Sequence, residues 1–177
     1  DQAGATAAAV ALGPGARAAA ESVGAYGIAK AYTRDDEKYG QYVITPQSHL
    51  LANLIREKRP ALVLFGSTAI GRDLAPRLGF RLGVAAATDC IDLALDPQSG
   101  NLLQTRPVYG GNARAVFATD TRPQIATVRP KAMAALEKDA SRKGEVVSVP
   151  AGLSASALRT KVLNKVQEAP LVSTRTV

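Results

Sequence analysis

The stretch from Ala61 to Asp73 reads ALVLFGSTAIGRD and decides the fold. Its first five residues are a nearly uninterrupted apolar run, which is typical of a strand in a parallel sheet covered on both faces. A loop of small residues follows, and a helix is predicted to begin near Gly71 and to turn its leucines toward the core. The stretch therefore predicts one strand, loop and helix unit at the centre of an α/β domain.

Similar units flank this stretch on both sides. Further strands are predicted at Ala5–Leu12, Ile28–Tyr32, Gln124–Val128 and Glu145–Val149. Helices are predicted at Ala16–Val23, at Pro46–Lys58 with Thr45 as N-cap, at Lys131–Lys138 and at Ser154–Gln167. Strands at Cys90–Leu95 and Ala113–Ala118, separated by turn-rich pieces, predict an antiparallel excursion around residues 85–129. The expected architecture is a three-layer, Rossmann-like α/β fold with a mostly parallel sheet.

Composition narrows the classes of function. A chain of 177 residues with 46% hydrophobic and 21% charged residues is expected to fold as one domain. The single cysteine, Cys90, excludes an intramolecular disulfide and a metal site built from several cysteines. The lone His49 supplies only one imidazole ligand for a histidine-based metal site. No stretch approaches the roughly 20 apolar residues of a membrane span. The net charge of +7 is spread along the chain and aromatic residues are only 5%, so a nucleic-acid-binding module is disfavoured.

The loop after the central strand is the sharpest candidate site. Small residues let backbone amides approach a ligand, and a helix N-terminus presents unpaired N–H groups to an anion. The spacing is neither that of a P-loop nor that of a dinucleotide fingerprint. Three interpretations stay open: a tight structural turn, a nucleotide or anion site, and a contact with another subunit. The residues concerned are Gly66, Ser67, Thr68, Gly71 and Arg72.

A second group of candidates combines arginines, an aromatic residue and glycines. The segment from Arg106 to Asn112 suits either a binding loop or a plain hairpin connection, and Arg129 suits either an anion contact or the solvated surface. The members singled out for partner contact are Arg106, Tyr109, Gly110, Asn112 and Arg129. No Ser-His-Asp order and no metal cluster is visible, and Asp89 is expected to be solvated. No catalytic residue and no metal ligand is therefore predicted.

The order of these motifs carries a family resemblance. The segments GRDLAPR (residues 71–77), TDC (88–90), RPVYGGNA (106–113) and TVRP (127–130) follow one another along the chain. In this order and spacing they resemble the N-terminal domain of the electron transfer flavoprotein alpha subunit, over about Ala5 to Val166. The resemblance implies an adenine-nucleotide-hydrolase-like fold in a subunit that pairs with a related beta subunit.

The same resemblance implies where the cofactors lie. In this family the FAD of the alpha subunit sits in a separate C-terminal domain with glycine-rich motifs, and the beta subunit holds AMP or a second FAD. Those motifs are not found in this sequence, nor is the family's usual first strand and helix. We therefore expect one domain at residues 1–168 and a linker or tail at 169–177. Loss of a strand and helix predicts an exposed apolar face and sheet edge, hence marginal stability or self-association.

The functional expectation follows from the resemblance. It implies a scaffold and docking domain of an electron carrier, not an enzyme, serving FAD-mediated transfer from dehydrogenases to a quinone-linked or other acceptor. It also implies a cytoplasmic location in bacteria, or the mitochondrial matrix in a eukaryote, with no membrane insertion and no nucleic-acid partner. The alternative is a stand-alone domain that binds AMP or ATP at the loop from Gly66 to Arg72.

Overall fold

The computed structural model describes residues 4–151 and, beyond them, residues 153, 160, 162–164 and 166. The helices are α1 (Ala16–Val23), α2 (Ile44–Lys58) and α3 (Ala69–Leu82). The strands are β1 (Ala8–Leu12), β2 (Lys30–Arg34), β3 (Leu62–Gly66), β4 (Ala86–Cys90), β5 (Asp92–Leu95), β6 (Leu102–Val108), β7 (Ala113–Phe117), β8 (Gln124–Val128) and β9 (Glu145–Ser148). The helix predicted at 154–167 falls mainly, and the tail predicted at 169–177 wholly, outside the described residues.

The strands form three sheets of three strands each. Two sheets are parallel, with the orders β1-β2-β9 and β3-β8-β4, and the third is antiparallel, with the order β5-β6-β7. The predicted α/β class with mostly parallel strands is confirmed. The antiparallel strands lie within the range predicted for them, while β4 and β8, at its two ends, are parallel to each other.

The sheet β3-β8-β4 is the middle of three layers. Ile125 of β8 packs against α2 and α3 in a cluster that includes Ile55 and Leu78. The next residue, Ala126, belongs to a separate cluster with Leu102 of the antiparallel sheet. Because successive side chains of a strand point to opposite faces, helices cover one face of this sheet and the antiparallel sheet covers the other. The prediction that the strand before the small-residue loop is central is wrong: β3 lies at the edge of this sheet, with Leu64 52% exposed, and the central strand is β8. The apolar run of β3 does not distinguish an edge position from a central one, because sheet order is set by pairing between distant segments.

The sheet β1-β2-β9 packs against α1 and α2. Helix α1 contacts all three strands and buries Ala16 and Ala20. On β2, Tyr32 packs against the cluster that contains Leu54 of α2, while Ala31, which points to the opposite face, is buried. Helix α2 therefore contacts both parallel sheets and joins their cores.

Three predictions about local structure are wrong. Residues 131–138 form no helix: Lys131 has φ 64°, and Met133 and Leu136 are exposed. The segment has helix-forming residues but no apolar face packed on the core, and short isolated helices are marginal. The strand predicted at Cys90–Leu95 is two strands in different sheets, and β6, which runs through Arg106, is absent from the sequence prediction.

The helices near the candidate site begin earlier than predicted. Helix α2 begins at Ile44 with Val43 as N-cap, so Thr45 is not the cap. Helix α3 begins at Ala69, not near Gly71. The reason at α3 is local: the side chain of Thr68 takes the N-cap position, which lets the helix begin directly after the small-residue loop.

Candidate functional site

The loop between β3 and α3 is held by hydrogen bonds at both ends. The Ser67 N–H donates to the carbonyl of Val128 on β8 at 2.7 Å. The Thr68 Oγ1 accepts from the N–H of Gly71 at 3.2 Å, which caps α3. A Cβ on Gly71 would lie 1.9 Å from the Gly66 carbonyl oxygen. Only glycine therefore allows α3 to start this close to the end of β3.

The two charged residues that follow Gly71 have specific partners. The Arg72 Nε donates to the carbonyl of Ser67 at 3.3 Å, so the side chain folds back over the loop. The Tyr42 hydroxyl donates to Asp73 at 2.8 Å, and burial together with this bond raises the pKa of Tyr42. Because α3 begins at Ala69, Asp73 lies in the second turn and not the first. The hydrogen bond with Tyr42 therefore explains an aspartate at this position better than an interaction with the helix dipole does.

Arg129 follows β8 directly and binds Asp89 at the end of β4. Its Nε and Nη2 donate to the two carboxylate oxygens of Asp89 at 2.7 and 2.8 Å. The Asp89 N–H donates to the Thr127 hydroxyl at 2.8 Å. The backbone of Asp89 is unusual, with φ 64°, where the register between β4 and β8 shifts. Asp89 is thus a paired residue in a fixed geometry, and the expectation that it is merely solvated is wrong.

Arg129 pairs directly with the Asp89 carboxylate, and Arg72 and Arg106 lie close enough for their charges to act on it. The hydrogen bond from Arg129 is the largest cause that lowers the pKa of Asp89, and the charges of Arg129, Arg72 and Arg106 lower it further against the opposing effect of burial. We call Arg72, Arg106, Arg129 and Asp89 the arginine cluster. It lies where the carboxyl ends of the parallel strands β3, β8 and β4 meet, and it carries more positive than negative charge. Ligands of open α/β sheets bind at this end.

The remaining predicted contact residues lie on the turn between β6 and β7. Tyr109 is 84% exposed with φ 51°, and Gly110 and Gly111 also have positive φ. Among residues 4–151, no hydrogen bond joins Tyr109, Gly110 or Asn112 to the arginine cluster. The structure therefore brings Arg129 next to the loop that contains Arg72, because the neighbouring Val128 accepts from Ser67. It places Arg106 on β6 and presents Tyr109 on a separate exposed turn.

One polar group in the loop lacks a partner. Ser67 is 4% exposed, and its hydroxyl oxygen makes no hydrogen bond. A buried polar group without a partner costs stability unless something else satisfies it. This orphaned hydroxyl is one step along the chain from the N-cap of α3, where an anion is favoured.

The charged groups of the site offer binding chemistry. Burial raises the pKa of the Cys90 thiol, and an apolar, buried thiol is inert as a nucleophile. In the described part of the chain, no cluster of three or more His, Cys, Asp or Glu side chains has the geometry of a metal site. Over the same residues, no helix combines the length and apolar character required to cross a membrane. Recognition of an anion or an acidic surface is what the arginine cluster can do.

Comparison with known proteins assigns the family. The family model of the electron transfer flavoprotein domain matches residues 1–154. The chain belongs to the electron transfer flavoprotein domain family. This match confirms the resemblance inferred from the GRDLAPR, RPVYGGNA and TVRP segments.

Curated relatives agree with this family. The chain is 36% identical to the electron transfer flavoprotein subunit alpha of Thermoanaerobacterium thermosaccharolyticum over 96% of this chain and 51% of that protein. It is 38% identical to protein FixB of Azotobacter vinelandii over 78% of this chain and 39% of that protein. It is 36% identical to subunit LctC of the lactate dehydrogenase (NAD(+),ferredoxin) of Acetobacterium woodii over 68% of this chain and 29% of that protein. The chain thus spans about half, or less, of the length of these relatives.

Within this electron transfer flavoprotein domain, Asp89 is the site residue that sequence reasoning missed. Its partner Arg129 lies 40 positions away in the chain, so no local pattern connects them. The one signal that could have found it is the position of Thr88-Asp89-Cys90 among the ordered motifs of the family.

Proposed function

We propose that this chain is the N-terminal scaffold and docking domain of an electron transfer flavoprotein alpha subunit. The observation that carries the proposal is the 36% identity to such a subunit over 96% of this chain. The matched region is 51% of the length of that relative. In this role the domain is part of an electron carrier and not itself an enzyme. It supports FAD-mediated transfer from dehydrogenases to a quinone-linked or other acceptor, while the chemistry takes place on flavin held elsewhere.

The arginine cluster is the proposed contact with the beta subunit. Arg129 is 49% exposed and Asp89 is 32% exposed along their side chains, so the ion pair is accessible at the surface. Its excess positive charge suits an acidic patch on a partner, where charge complementarity fixes orientation and increases the association rate. The exposed Tyr109 turn adds an aromatic residue, a type enriched in interfaces.

The described residues do not fit a complete FAD site. The loop between β3 and α3 offers a helix N-terminus for one phosphate, but Arg72 folds back onto Ser67 and Gly71 packs against Gly66. A cleft of about 750 Å³ between β1 and β3 is lined mostly by apolar side chains, with Lys58 as its one charged residue. We therefore propose that FAD is bound by another part of the alpha subunit, and that AMP or a second FAD belongs to the beta subunit.

Complex formation tests the docking role. The chain is mixed with an electron transfer flavoprotein beta subunit, and binding is measured by sedimentation velocity. Combined substitution of Arg72→Gln and Arg106→Gln is expected to weaken the complex by about tenfold or more. The matched control is Arg17→Gln, because the Arg17 side chain is 73% exposed on α1 and bonds to Glu21, while the bond to Asp35 comes from the backbone N–H, which the substitution keeps. No complex with the unmodified chain, or equal weakening by both variants, would refute the docking role.

A visible absorption spectrum tests the division of the cofactors. The purified chain is mixed with FAD and the beta subunit, and free flavin is removed. We expect the chain alone to retain no flavin band. A flavin band retained by the chain alone would show a complete site in this domain and would overturn the scaffold role.

The orphaned Ser67 hydroxyl supports a second candidate, an AMP or ATP site at the loop between β3 and α3. Calorimetric titration with AMP tests it, with Ser67→Ala and Arg72→Gln as variants expected to abolish binding. Gly71 is unsuitable for this purpose, because any side chain there meets the backbone of Gly66. Absence of heat beyond dilution with the unmodified chain would eliminate this candidate.

A further inference from the structure

Helices α2 and α3 run in the same direction and end side by side. The Tyr42 hydroxyl, just before α2, donates to Asp73 in the first half of α3. The Arg56 Nη2, near the end of α2, donates to the carbonyl of Arg81, near the end of α3, at 3.0 Å. The two helices lead into the parallel strands β3 and β4. Their ends therefore lie at the amino ends of these strands, away from the arginine cluster at the carboxyl ends.

The ends of the two helices carry an excess of positive charge. Residues 56–59 and 77–83 contain five cationic side chains and one carboxylate. That carboxylate belongs to Glu57 and bonds to Lys58. Within residues 4–151, no carboxylate oxygen lies within 4.0 Å of the guanidinium groups of Arg59, Arg77 or Arg81. The described part of the fold thus leaves these arginine charges without a counterion.

An exposed aromatic ring lies beside these charges. Phe80 is 84% exposed, and it is three residues after Arg77, a spacing that makes the two side chains neighbours on the surface of α3. The helix dipole favours cations in a last turn, but it explains neither Arg77, which precedes the last turn of α3, nor the exposed ring. We call Arg56, Arg59, Arg77, Phe80 and Arg81 the basic surface.

The charge of the basic surface comes from arginine. The one histidine nearby, His49 on α2, has a lowered pKa because of its burial and, secondarily, because of the charges of Arg81 and Arg56. Arginine stays protonated at every physiological pH, and its planar guanidinium group binds phosphate oxygens through two parallel hydrogen bonds. The basic surface is therefore suited to phosphate groups in particular.

A layer of anionic lipid headgroups matches this combination of groups. It presents phosphates to every arginine at once, without the need for acidic groups at fixed positions. It also accepts an apolar side chain that projects from the protein, because binding in the interface combines apolar burial with attraction to anionic lipids. A partner protein would need a pocket for the Phe80 ring in register with several carboxylates. The projecting ring and the dispersed arginines therefore favour a membrane surface.

We propose that the basic surface adsorbs to membranes that contain anionic lipids. The Phe80 ring enters the headgroup layer, and the arginines of the surface bind lipid phosphates around it. The contact lies in the plane of the interface and does not cross the bilayer. Because the arginine cluster is at the opposite end of the strands, this contact leaves the proposed subunit contact free. The proposal therefore does not depend on the docking role.

Vesicle sedimentation tests the requirement for anionic lipid. The purified chain is mixed with vesicles of phosphatidylglycerol and phosphatidylcholine in equal amounts, and separately with vesicles of phosphatidylcholine alone. We expect the chain to sediment with the first and not with the second. Binding is expected to fall about tenfold or more as NaCl rises from about 0.05 M to about 0.5 M, because salt screens charges that are exposed to solvent.

Phe80→Trp shows which part of the molecule touches lipid. The chain contains no tryptophan, so the variant carries a single indole at the proposed contact. Anionic vesicles are expected to shift its emission to shorter wavelength, and brominated phosphatidylglycerol is expected to quench it. Tyr109→Trp is the matched control, because Tyr109 is also 84% exposed but lies on the turn between β6 and β7. Its emission is expected to change little.

Removal of two charges tests the arginines. Arg59→Gly combined with Arg77→Gln is suitable, because Arg59 has φ 47°, a conformation that glycine adopts readily. Each cation near an anionic membrane strengthens binding about fivefold, so the double variant is expected to bind about 25-fold more weakly. The charge-matched control is Arg17→Gln with Arg114→Gln, on α1 and β7, and it is expected to bind within about twofold of the unmodified chain.

A substitution of the exposed ring keeps the test independent of folding. If the double variant does not fold by far-UV circular dichroism, Phe80→Ser replaces it, because a side chain that is 84% exposed contributes little to the core. It is expected to weaken vesicle binding by about fivefold or more. Association with the beta subunit is expected to be unchanged in both variants, so a failed docking role and a failed membrane role give different results.

Three results would overturn the inference. One is the absence of sedimentation with anionic vesicles at low salt, and capture of the chain by a polyglutamate peptide in the same buffer would then assign the basic surface to an acidic protein. Another is sedimentation without quenching of the Phe80→Trp variant, which would mean that a different face touches the lipid. The third is equal weakening by the two double variants, which would mean that only the total charge of the chain matters.

Discussion

The two parallel sheets have the same number of strands but differ in how deeply they are buried. In β3-β8-β4, four consecutive residues of the central strand, from Gln124 to Thr127, are buried. In β1-β2-β9, the central strand buries only alternate residues, and α1 contributes only Ala16 and Ala20 to the core. Because stabilisation grows with the apolar area removed from water, most of the stability is expected to reside in the sheet that also carries the arginine cluster.

The largest expected effect comes from a comparison of one core leucine with one edge valine. Leu78 of α3 is fully buried beneath β8, so Leu78→Ala is expected to lower the free energy of unfolding by about 2–5 kcal/mol. Val10→Ala on the first sheet, where the side chain is 42% exposed, is expected to cost less than about 1 kcal/mol. Urea unfolding followed by far-UV circular dichroism measures both. Equal costs would show that the two sheets contribute equally.

The loops that follow the first strand of each sheet give the second test. A Cβ on Gly71 would lie 1.9 Å from the carbonyl oxygen of Gly66, whereas Gly15, the N-cap of α1, has φ 78° and open space within 4 Å of where its Cβ would lie. Gly71→Ala is expected to cost about 3 kcal/mol, because α3 must move away from β3. Gly15→Ala is expected to cost about 1 kcal/mol from backbone strain alone. Thermal unfolding compares them, and a larger cost at Gly15 would contradict the close packing of the β3–α3 junction.

Sequence reasoning succeeds where local chemistry decides the structure. The bounds of α1 and β8 match their predictions. The alanine-rich segment between glycines predicts α1, and the short strand pattern that stops at Arg129-Pro130 predicts β8. The loop between β3 and α3 is predictable for the same reason: small residues follow an apolar strand. The predicted helix at 131–138 fails because helix propensity is a weak prior without a buried face.

The remaining features depend on sheet order, which no local pattern contains. Asp89 and Arg129 meet because β4 and β8 are neighbours, although β5, β6 and β7 lie between them in the chain. Likewise, the cleft between β1 and β3 exists because each strand lies at the edge of a different sheet. The sequence predicts an exposed sheet edge, but it does not predict that two edges face each other.

The third test concerns the charged end of the more buried sheet. The pKa of Asp89 is lowered from its ordinary value of 3.8, so its contribution to stability is present above that value and is lost as pH falls through the lower, folded-state pKa. Since Arg129 is 49% exposed, solvent screening limits this contribution to about 1 kcal/mol. Asp89→Asn is expected to be less stable than the unmodified chain at neutral pH, with the difference shrinking as the pH falls below 3.8 and Asp89 becomes protonated. Urea unfolding across this range measures it, with Asp92→Asn as the matched control. A difference independent of pH would contradict the ion pair.

The smallest expected effect concerns what lowers the pKa of two carboxyl groups, those of Asp36 and Asp89. Asp36, beside the first sheet, binds Arg34 at 2.8 Å, yet the largest cause of its lowered pKa is the backbone N–H of Lys38. For Asp89 the largest cause is the side chain of Arg129. Arg129→Gln is therefore expected to return the pKa of Asp89 most of the way to 3.8, whereas Arg34→Gln leaves much of the lowering at Asp36 in place. Carboxyl carbon shifts followed by NMR during an acid titration report each group. Equal recovery at the two sites would mean that both sheets hold their terminal carboxylates in the same way.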